Sequence, residues 1–507
     1  MKILVIALHK LGDNLQVTPV FRVLKERHPG ARVDVLTEPK FRFAFDGNPC
    51  IDQIHLFDRT QYSGQSVTSL ETGRSEMCPV LKALQSEAYD LLVNRQSSVE
   101  GAVIAALVAP LEYRGIYMQP DNRVAVVDPW TRLLFTACRN RHVNPFNFVD
   151  YGINMAGNGA GERRLELHAD RAPGALLLHR LGLTQGPIIA LQPGSTSPMR
   201  RWPTAHFSDM ARRLLCALPE ARCLILGAPS EAPLAHEITA ALPELSGKRL
   251  MDLTHDLPLA SLPGVLARCS LLVTNDTGPM HIAAAVKCPV IALYFGESFV
   301  HETGPYGDNH HVVHARLDCL PCTFDKPCLR GYECQKVISP VAIADLARSV
   351  LTGQPPEEPL FKDVVVYRSV TSRPPLLQER GEGGEVSFRP LFKRPASAND
   401  IHRVLYFKLF RSYLHDLPFN PETIAEQLSD DYTDVSACVN AMADLDISLI
   451  TQFAQSDVEA VTLRDRFRDG FLFLRQETHP PFPPLLPLDS LRLRSAQAAR
   501  GSREGGL

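Results

Sequence analysis

Apolar runs of strand length alternate with segments of helical periodicity over residues 1–350. Residues 2–8 (KILVIAL) predict a buried strand, and the segment after them has the period of a helix up to Arg27. A second strand is predicted at residues 32–36. Strands that alternate with helices are typical of a parallel sheet covered by helices, so this pattern predicts an α/β fold.

The same alternation starts again after a glycine-rich break at residues 157–161 (GNGAG). Apolar runs in this second series predict strands at residues 187–191, 223–227, 271–273 and 289–294. Two such series predict two Rossmann-like domains, with boundaries at 1–160 and 161–355, that face a cleft. Clefts between domains are common ligand sites.

The pattern changes after residue 355. Residues 356–399 are rich in Pro, Gly, Arg and Glu, and predict a linker with little core of its own. Residues 400–478 return to helical periodicity and predict a mainly α extension whose apolar stripes are more typical of a bundle core than of a partner groove. Residues 479–507 are Pro-rich and then Arg/Gly/Ser-rich, which predicts a disordered tail. Oligomerisation, membrane docking and binding of an acceptor protein all remain open for this extension.

Composition limits the function classes. The chain has 507 residues and a net charge of −3, so wholesale nucleic-acid binding is not indicated. No signal peptide is recognisable, and the longest apolar run, residues 102–111, is shorter than the ~20 residues that span a bilayer. Most of the 12 cysteines are scattered singly in apolar segments, as reduced core residues are. We therefore expect a cytoplasmic protein.

Candidate chemistry concentrates at residues 271–296 (LLVTNDTGPMHIAAAVKCPVIALYFG). A strand leads through Asp276, Thr277 and Gly278 into a short helix that carries His281 in its first turn. A helix N-terminus has free N–H groups and a partial positive charge, so it suits an anion such as a diphosphate. An ordinary helix cap beside a buried histidine is the alternative interpretation.

Other strand-end turns carry further candidates. Asp13 follows the first strand, where open α/β sheets place ligands, although Asp also fills a helix N-cap well. In the second series, hydroxyls and a guanidinium suit a diphosphate, and a carboxylate suits ribose hydroxyls. These candidates are Ser195, Thr196, Arg200 and Glu231. Each of them taken alone is more typical of a solvated turn.

Four motifs in chain order, LGDNLQVTP, PGSTSPMRRWP, LILGAPSE and NDTGPMHIAAA, resemble those of glycosyltransferase family 9. That family contains the heptosyltransferases of bacterial lipopolysaccharide biosynthesis, and the resemblance covers residues 1–350. It implies the GT-B architecture, with an N-terminal domain that binds the acceptor and a C-terminal domain that binds the nucleotide-sugar donor, typically ADP-heptose. The extension after residue 355 is absent from the plain family pattern.

The resemblance also implies inverting sugar transfer without a metal or other catalytic cofactor. Asp13 matches the catalytic base, with Lys10 and Gly12 in the same acceptor-side turn. Arg200 stands where the family usually has lysine, and the two cations differ in geometry. The residues that match the donor-binding positions are Ser195, Thr196, Arg200, Glu231, Asp276, Thr277, Gly278 and His281. Arg200, His281 and the helix N-terminus would stabilise the leaving diphosphate.

A cluster of cysteines lies near the end of the second series, with the spacing C-x2-C-x5-C-x5-C. Its members are Cys319, Cys322, Cys328 and Cys334. Four close thiolates could form a structural zinc or iron site, and related protein-heptosylating enzymes that resemble this family use a cysteine cluster for iron. Reduced thiols that shape a loop, or a disulfide, are the alternatives.

Several functions therefore stay open. The leading hypothesis is a heptosyltransferase-like enzyme that acts on a lipopolysaccharide-core or other cell-surface glycan acceptor, with peripheral contact to the inner membrane face as an open question. A protein acceptor is a variant of it. A nucleotide-sugar epimerase, which consumes the donor without an acceptor, and a non-catalytic nucleotide-sugar-binding scaffold are the other candidates.

Overall fold

The structure is a computed structural model of the chain. It describes the chain apart from residues 60–68, 76–77, 160–161, 324–325, 373–384, 415–418, 420, 436–437, 440–449, 451–452, 455–461 and 469–507. The expected disordered tail, residues 479–507, therefore lies outside the described residues.

The first domain is built on a parallel sheet. Its strands are β1 (Lys2–Ile6), β2 (Arg32–Thr37), β3 (Gln53–Leu56), β4 (Leu91–Asn94) and β5 (Glu112–Arg114). Their order is β3-β2-β1-β4-β5, with β1 in the centre. In register, Val5 of β1 lies between Val35 of β2 and Val93 of β4. A small antiparallel hairpin, β6 (Ile116–Met118) and β7 (Val124–Val126), follows the sheet.

The second sheet continues the pattern with more strands. These are β8 (Ile188–Gln192), β9 (Arg222–Ile225), β10 (Leu250–Asp252), β11 (Leu271–Asn275), β12 (Val290–Tyr294), β13 (His311–Ala315), β14 (Val364–Ser372) and β15 (Glu385–Pro390). The order is β10-β9-β8-β11-β12-β13-β14-β15. The pairings from β10 to β13 are parallel and the last two are antiparallel. The α/β class and the strands expected in both series are confirmed.

Helices cover both sheets and connect their strands. In the first domain they are α1 (Leu11–Arg27), α2 (Leu70–Ser75), α3 (Pro79–Ser86), α4 (Val99–Val108), α5 (Pro129–Arg139) and α6 (Phe148–Met155). The second domain has α7 (Ala172–Arg180), α8 (Thr204–Ala217), α9 (Ala232–Ala240), α10 (Leu262–Leu266), α11 (Gly278–Ala285), α12 (Val300–Thr303), α13 (Glu333–Val337) and α14 (Pro340–Thr352). In the described part of the chain, no helix combines the length and the apolar character needed to cross a bilayer.

The two domains are packed against each other through helices. One continuous apolar cluster joins side chains of α1, such as Phe21, to side chains of α11, such as Ile282. Polar contacts add to it: the amide of Asn147 donates to the carbonyl of Gly304 at 3.2 Å, and the hydroxyl of Tyr306 donates to Asp150 Oδ1 at 2.5 Å. The helix N-termini that follow β1 and β11 are thereby brought to the same cleft.

The segment at residues 356–399 is not a linker, and this prediction was wrong. β14 pairs with β13 and β15 pairs with β14, so the segment adds two antiparallel strands to the edge of the second sheet. Val366 and Phe388 are buried there, at 2% and 5% exposure. The high Pro, Gly and Arg content of the segment as a whole hid the β-branched run Val364–Val366, which favours a strand.

The expected helical extension contains α15 (Ala398–Leu414) and α16 (Glu422–Asp431), with a further helical turn at residues 462–468. A short parallel pair, β16 (Arg394–Pro395) and β17 (Tyr432–Thr433), ties its first part together. The stripe formed by Ile401, Leu405 and Leu409 is fully buried, as expected of a bundle core. That core is shared with the first domain, because it includes Trp130 of α5 and Tyr151 of α6.

Candidate active site

Two helix N-termini meet at the cleft. Gly12 lies in the first turn of α1, after β1, and Gly278 is the first residue of α11, after β11. A Cβ placed on Gly12 would lie 2.9 Å from Cδ2 of His281 and 3.5 Å from Cα of Gly278. Only a glycine allows this approach, so the two turns that carry the candidate residues are held in direct contact.

Asp13 is on the solvent side of this junction. It is exposed in the first turn of α1, and no described residue makes a hydrogen bond to its carboxylate. The N-cap position belongs to Lys10, which makes no side-chain cap bond, so Asp13 is not the helix cap. The turn itself is anchored because Asn14 donates to the carbonyl of His9 at 3.0 Å. An exposed, unpaired carboxylate at a strand end is available as a proton acceptor.

His281 lies behind the two turns and is 5% exposed. Burial lowers its pKa to about 4, and this effect outweighs the nearby negative charge of Asp13, which raises the pKa. Nε2 of His281 lies 3.3 Å from the amide nitrogen of Gln16. His281 is therefore neutral at neutral pH and can offer a hydrogen bond to a ligand, but not a positive charge.

The turn before α11 leaves the helix N-terminus without a side-chain cap. Thr277 occupies the N-cap position of α11 without a side-chain cap bond, and its hydroxyl lies 3.2 Å from that of Thr274. A Cβ on Gly278 would meet only the backbone nitrogen of Gly12, at 3.9 Å. No other described atom outside the helix and its chain neighbours lies within 4 Å of that Cβ position, which is compatible with a helix N-terminus that receives an anion.

Arg200 lies beside this turn, after β8. Its Nη2 donates to the hydroxyl of Thr196 at 2.6 Å, and its Nη1 lies 3.5 Å from Asp276 Oδ2. Glu297 approaches the guanidinium from the other side, with Oε1 3.7 Å from Nε. Burial raises the pKa of Asp276, while a hydrogen bond from Ser298 and the charge of Arg200 lower it. The guanidinium is thus held between two carboxylates at the edge of the cleft.

Glu231 lies across the ends of β8 and β9. Its Oε2 accepts hydrogen bonds from the amide of Gln192 at 3.2 Å and from the backbone N–H of Ala228 at 3.0 Å. A Cβ on Gly194 would fall 1.7 Å from its Oε1. Among the described residues no hydrogen bond reaches Oε1, so this oxygen can accept one from a ligand hydroxyl.

Ser195 is buried and Thr196 is exposed in the loop after β8. Sequence reasoning missed three neighbours that shape the site: Asn275, Glu297 and Ser298. The amide of Asn275 donates to the carbonyl of Pro193 at 2.8 Å and so ties the β11 turn to the β8 loop. Asn275 stands directly before Asp276 in the same motif, a signal that could have found it. Nothing in the sequence pattern marks Glu297 or Ser298.

The cysteine cluster packs against the loop that follows β12, because the N–H of Cys322 donates to the carbonyl of Gly296 at 2.8 Å. Cys334 is buried, and Cys319, Cys322 and Cys328 are partly buried. Burial raises the pKa of Cys322, and the other three thiols raise it further, so the four lie near one another. In the part of the chain described, however, no three His, Cys, Asp or Glu side chains are arranged to hold a metal ion. The arrangement does not fit a zinc or iron site. A D-x-D sequence that could hold a divalent cation, at residues 444–446, lies outside the described residues.

The chain is similar in sequence to known heptosyltransferases. Residues 149–332 match the family model of glycosyltransferase family 9 (heptosyltransferase). The chain is 26% identical over 323 residues to lipopolysaccharide heptosyltransferase 2 of Salmonella typhimurium, covering 62% of this chain and 88% of that protein. It is 32% identical over 168 residues to lipooligosaccharide heptosyltransferase 2 of Campylobacter jejuni, covering 32% of this chain and 51% of that relative.

The fold comparison agrees. The solved structure of Escherichia coli ADP-heptose lipopolysaccharide heptosyltransferase II superposes with a TM-score of 0.51 at 22% identity, covering 70% of this chain and 99% of that chain. This likeness concerns the fold alone. Together with two Rossmann-like sheets that face one cleft, it confirms the expected GT-B architecture.

Proposed function

We propose that this chain, which is similar to glycosyltransferase family 9 over residues 149–332, is a heptosyltransferase-like enzyme that transfers heptose from ADP-heptose to a lipopolysaccharide-core or similar glycan acceptor. The observation that carries the proposal is the contact between the α1 and α11 turns at Gly12 and Gly278. It brings an unpaired carboxylate of one domain next to an open helix N-terminus of the other. A sugar bound between these two features has a base on one side and an anion site on the other.

We assign the donor to the second domain. The diphosphate lies at the α11 N-terminus, near Thr277, Gly278 and the guanidinium of Arg200, where the helix dipole and a cation both favour negative charge. Oε1 of Glu231 accepts a hydrogen bond from a ribose hydroxyl, as carboxylates at this place in Rossmann-like folds do. The neutral imidazole of His281 contributes a hydrogen bond at most.

The proposed reaction is a single displacement with inversion and without a metal. The acceptor oxygen forms a bond to the anomeric carbon as the bond from that carbon to the diphosphate oxygen breaks. The acceptor proton passes to the carboxylate of Asp13, which acts as general base. The electron pair leaves with ADP, and Arg200 together with the α11 N-terminus stabilises the developing charge on the diphosphate.

The chain is further proposed to act on the cytoplasmic side of the inner membrane, where a nucleotide-sugar donor is available. The described residues contain no helix that could span that membrane. Contact with the membrane would therefore be peripheral and would take place through the acceptor.

The test compares Asp13→Asn with wild type in turnover of ADP-heptose. The substitution keeps the size of the side chain but removes the proton acceptor, so kcat should fall by ~10²- to 10⁴-fold while the Kd for ADP stays within about twofold. Asp46→Asn, which changes an exposed carboxylate in the same domain, is the matched control.

Three other outcomes would change the assignment. Donor consumption without any acceptor would indicate an epimerase. Transfer to polypeptide but not to a glycan would indicate a protein-directed heptosyltransferase. Binding of ADP-heptose with no turnover, equal in wild type and Asp13→Asn, would indicate a scaffold.

A further inference from the structure

The loop between β12 and α12, residues 296–299, is linked to both faces of the donor site. The hydroxyl of Ser298 donates to Asp276 Oδ2 at 2.7 Å, and the carboxylate of Glu297 lies 3.7 Å from Nε of Arg200. The position of this loop therefore fixes both carboxylates that hold the Arg200 guanidinium. Sequence reasoning assigned no role to the loop.

Arg141 of the first domain contacts this loop and the helix that follows it. Arg141, just after α5, donates from Nε to Glu302 Oε2 at 2.9 Å and from Nη2 to the same oxygen at 2.7 Å. The same Nη2 donates to the backbone carbonyl of Glu297 at 2.6 Å. One planar guanidinium thus clamps both the loop and the helix that follows it, a geometry that a lysine cannot reproduce.

The C-terminal extension supports this clamp from outside. Arg403 of α15 donates from Nη2 to the carbonyl of His142 at 2.9 Å, and its guanidinium lies 5.8 Å from the ring centroid of Phe299. Phe388 of β15 packs so closely that a Cβ on Gly304 would lie 2.2 Å from its Cζ. The extension therefore contacts the segment that carries Arg141 and both ends of the clamped loop and helix.

The Arg141–Glu302 pair is a buried pair. The Arg141 side chain is 13% exposed and that of Glu302 is 2% exposed. Surface pairs contribute little because water and salt screen them. This buried guanidinium instead donates to the Glu302 carboxylate and to the backbone carbonyls of Glu297 and Cys322, and so defines a position. The Arg141–Glu302 pair is thus suited to fix the position of the loop that carries Glu297 and Ser298.

We propose that Arg141 is a positioning residue for the donor site, and that the extension acts as a brace that keeps it in place. Arg141 acts through Glu297 on Arg200, and so sets where the guanidinium meets the diphosphate. This inference rests on the proposed function, because it takes Arg200 as a ligand of the diphosphate. It gives the extension a role in catalysis that the family pattern does not contain.

The test is a double-mutant cycle on the full chain, with ADP affinity measured by calorimetric titration. Arg141→Lys keeps the positive charge opposite Glu302 but loses the planar set of N–H donors of the guanidinium. It should weaken ADP binding about tenfold in the wild-type background and less than twofold in the Arg200→Ala background. Arg139→Lys, an exposed residue two positions earlier, is the matched control and should change nothing.

A general structural defect gives a different result from positioning. If Arg141→Lys weakens ADP binding by the same factor in both backgrounds, or not at all, the positioning role is overturned while the proposed function stands. A wild-type protein that does not bind ADP overturns both. Should Arg141→Lys fail to fold, Arg403→Gln replaces it in the same double-mutant cycle with Arg200→Ala. Arg403→Gln loosens the brace and leaves the Arg141–Glu302 pair intact.

Discussion

Replacing Gly194 by alanine tests the nucleotide site without replacing any residue that is expected to bind the ligand. The new Cβ would lie 1.7 Å from Oε1 and 2.2 Å from Cδ of Glu231, so the two side chains cannot coexist as they stand. Since the obstacle is the end of a flexible side chain, Glu231 should rotate away. It then loses its hydrogen bonds from Gln192 and from the N–H of Ala228.

Two magnitudes follow from this displacement. Loss of two hydrogen bonds at a half-buried site should lower the free energy of unfolding by about 1–2 kcal/mol, or a melting temperature by about 2–8 °C. Loss of the charged acceptor for a ribose hydroxyl is worth about 1.5–3 kcal/mol, which corresponds to a Kd for ADP that rises about 10- to 100-fold.

The assay is calorimetric titration of ADP into wild type, Gly194→Ala, Glu231→Ala and the double variant. Because both single changes remove the same carboxylate from the same place, their effects should not add, and the double variant should bind like either single one. Glu237→Gln, which alters a carboxylate on the neighbouring helix α9, serves as control. Wild-type affinity in Gly194→Ala would refute the assignment of Glu231 to the nucleotide.

Two further predictions concern the junction of the helix N-termini and the buried histidines. Gly278→Ala should leave the melting temperature nearly unchanged, because the new Cβ meets only one atom, 3.9 Å away. It should nevertheless weaken ADP binding, because the methyl group enters the space assigned to the diphosphate. Unchanged ADP binding would argue against placing the diphosphate there. The protein should also lose stability as pH falls from 6.5 towards 4, because burial lowers the pKa of His281, His310 and His314 to about 4 and the unfolded chain then binds more protons. Each such histidine contributes up to ~1.4 kcal/mol per pH unit in that window, so His281→Gln should flatten the acid limb of a plot of unfolding free energy against pH.

The strands at the centres of both sheets could be predicted because fully buried parallel strands are continuous apolar runs. Residues 2–8 contain β1 and residues 187–191 overlap β8 almost completely. The strands β14 and β15 could not be recognised from composition, since an antiparallel edge depends on a partner far away in the chain. His311 of β13 pairs with Arg368 of β14, a contact that only the tertiary structure creates. The domain boundaries stay a prediction.

The site residues could be predicted as far as they lie at the ends of strands, because the topology of a parallel sheet brings those ends together. The protonation states of these residues could not be predicted from the sequence. The sequence does not show how deeply His281 is buried, and this burial lowers its pKa to about 4 and keeps it neutral. The role of Arg141 could not be predicted either, because this residue is 161 positions from Glu302 in the chain and belongs to no motif.

The two antiparallel strands at the edge of the second sheet also matter for how the chain can be shortened. Every backbone group of β13 that faces β14 is paired, from His311 to Ala315. A protein cut after residue 355, at the predicted end of the second domain, would present that row of donors and acceptors to solvent beside the buried side chains Val312 and Val313. Bare edges of this kind invite pairing between chains. The shortest fragment that keeps the second sheet covered therefore includes β14 and β15, and truncation before them should yield aggregates.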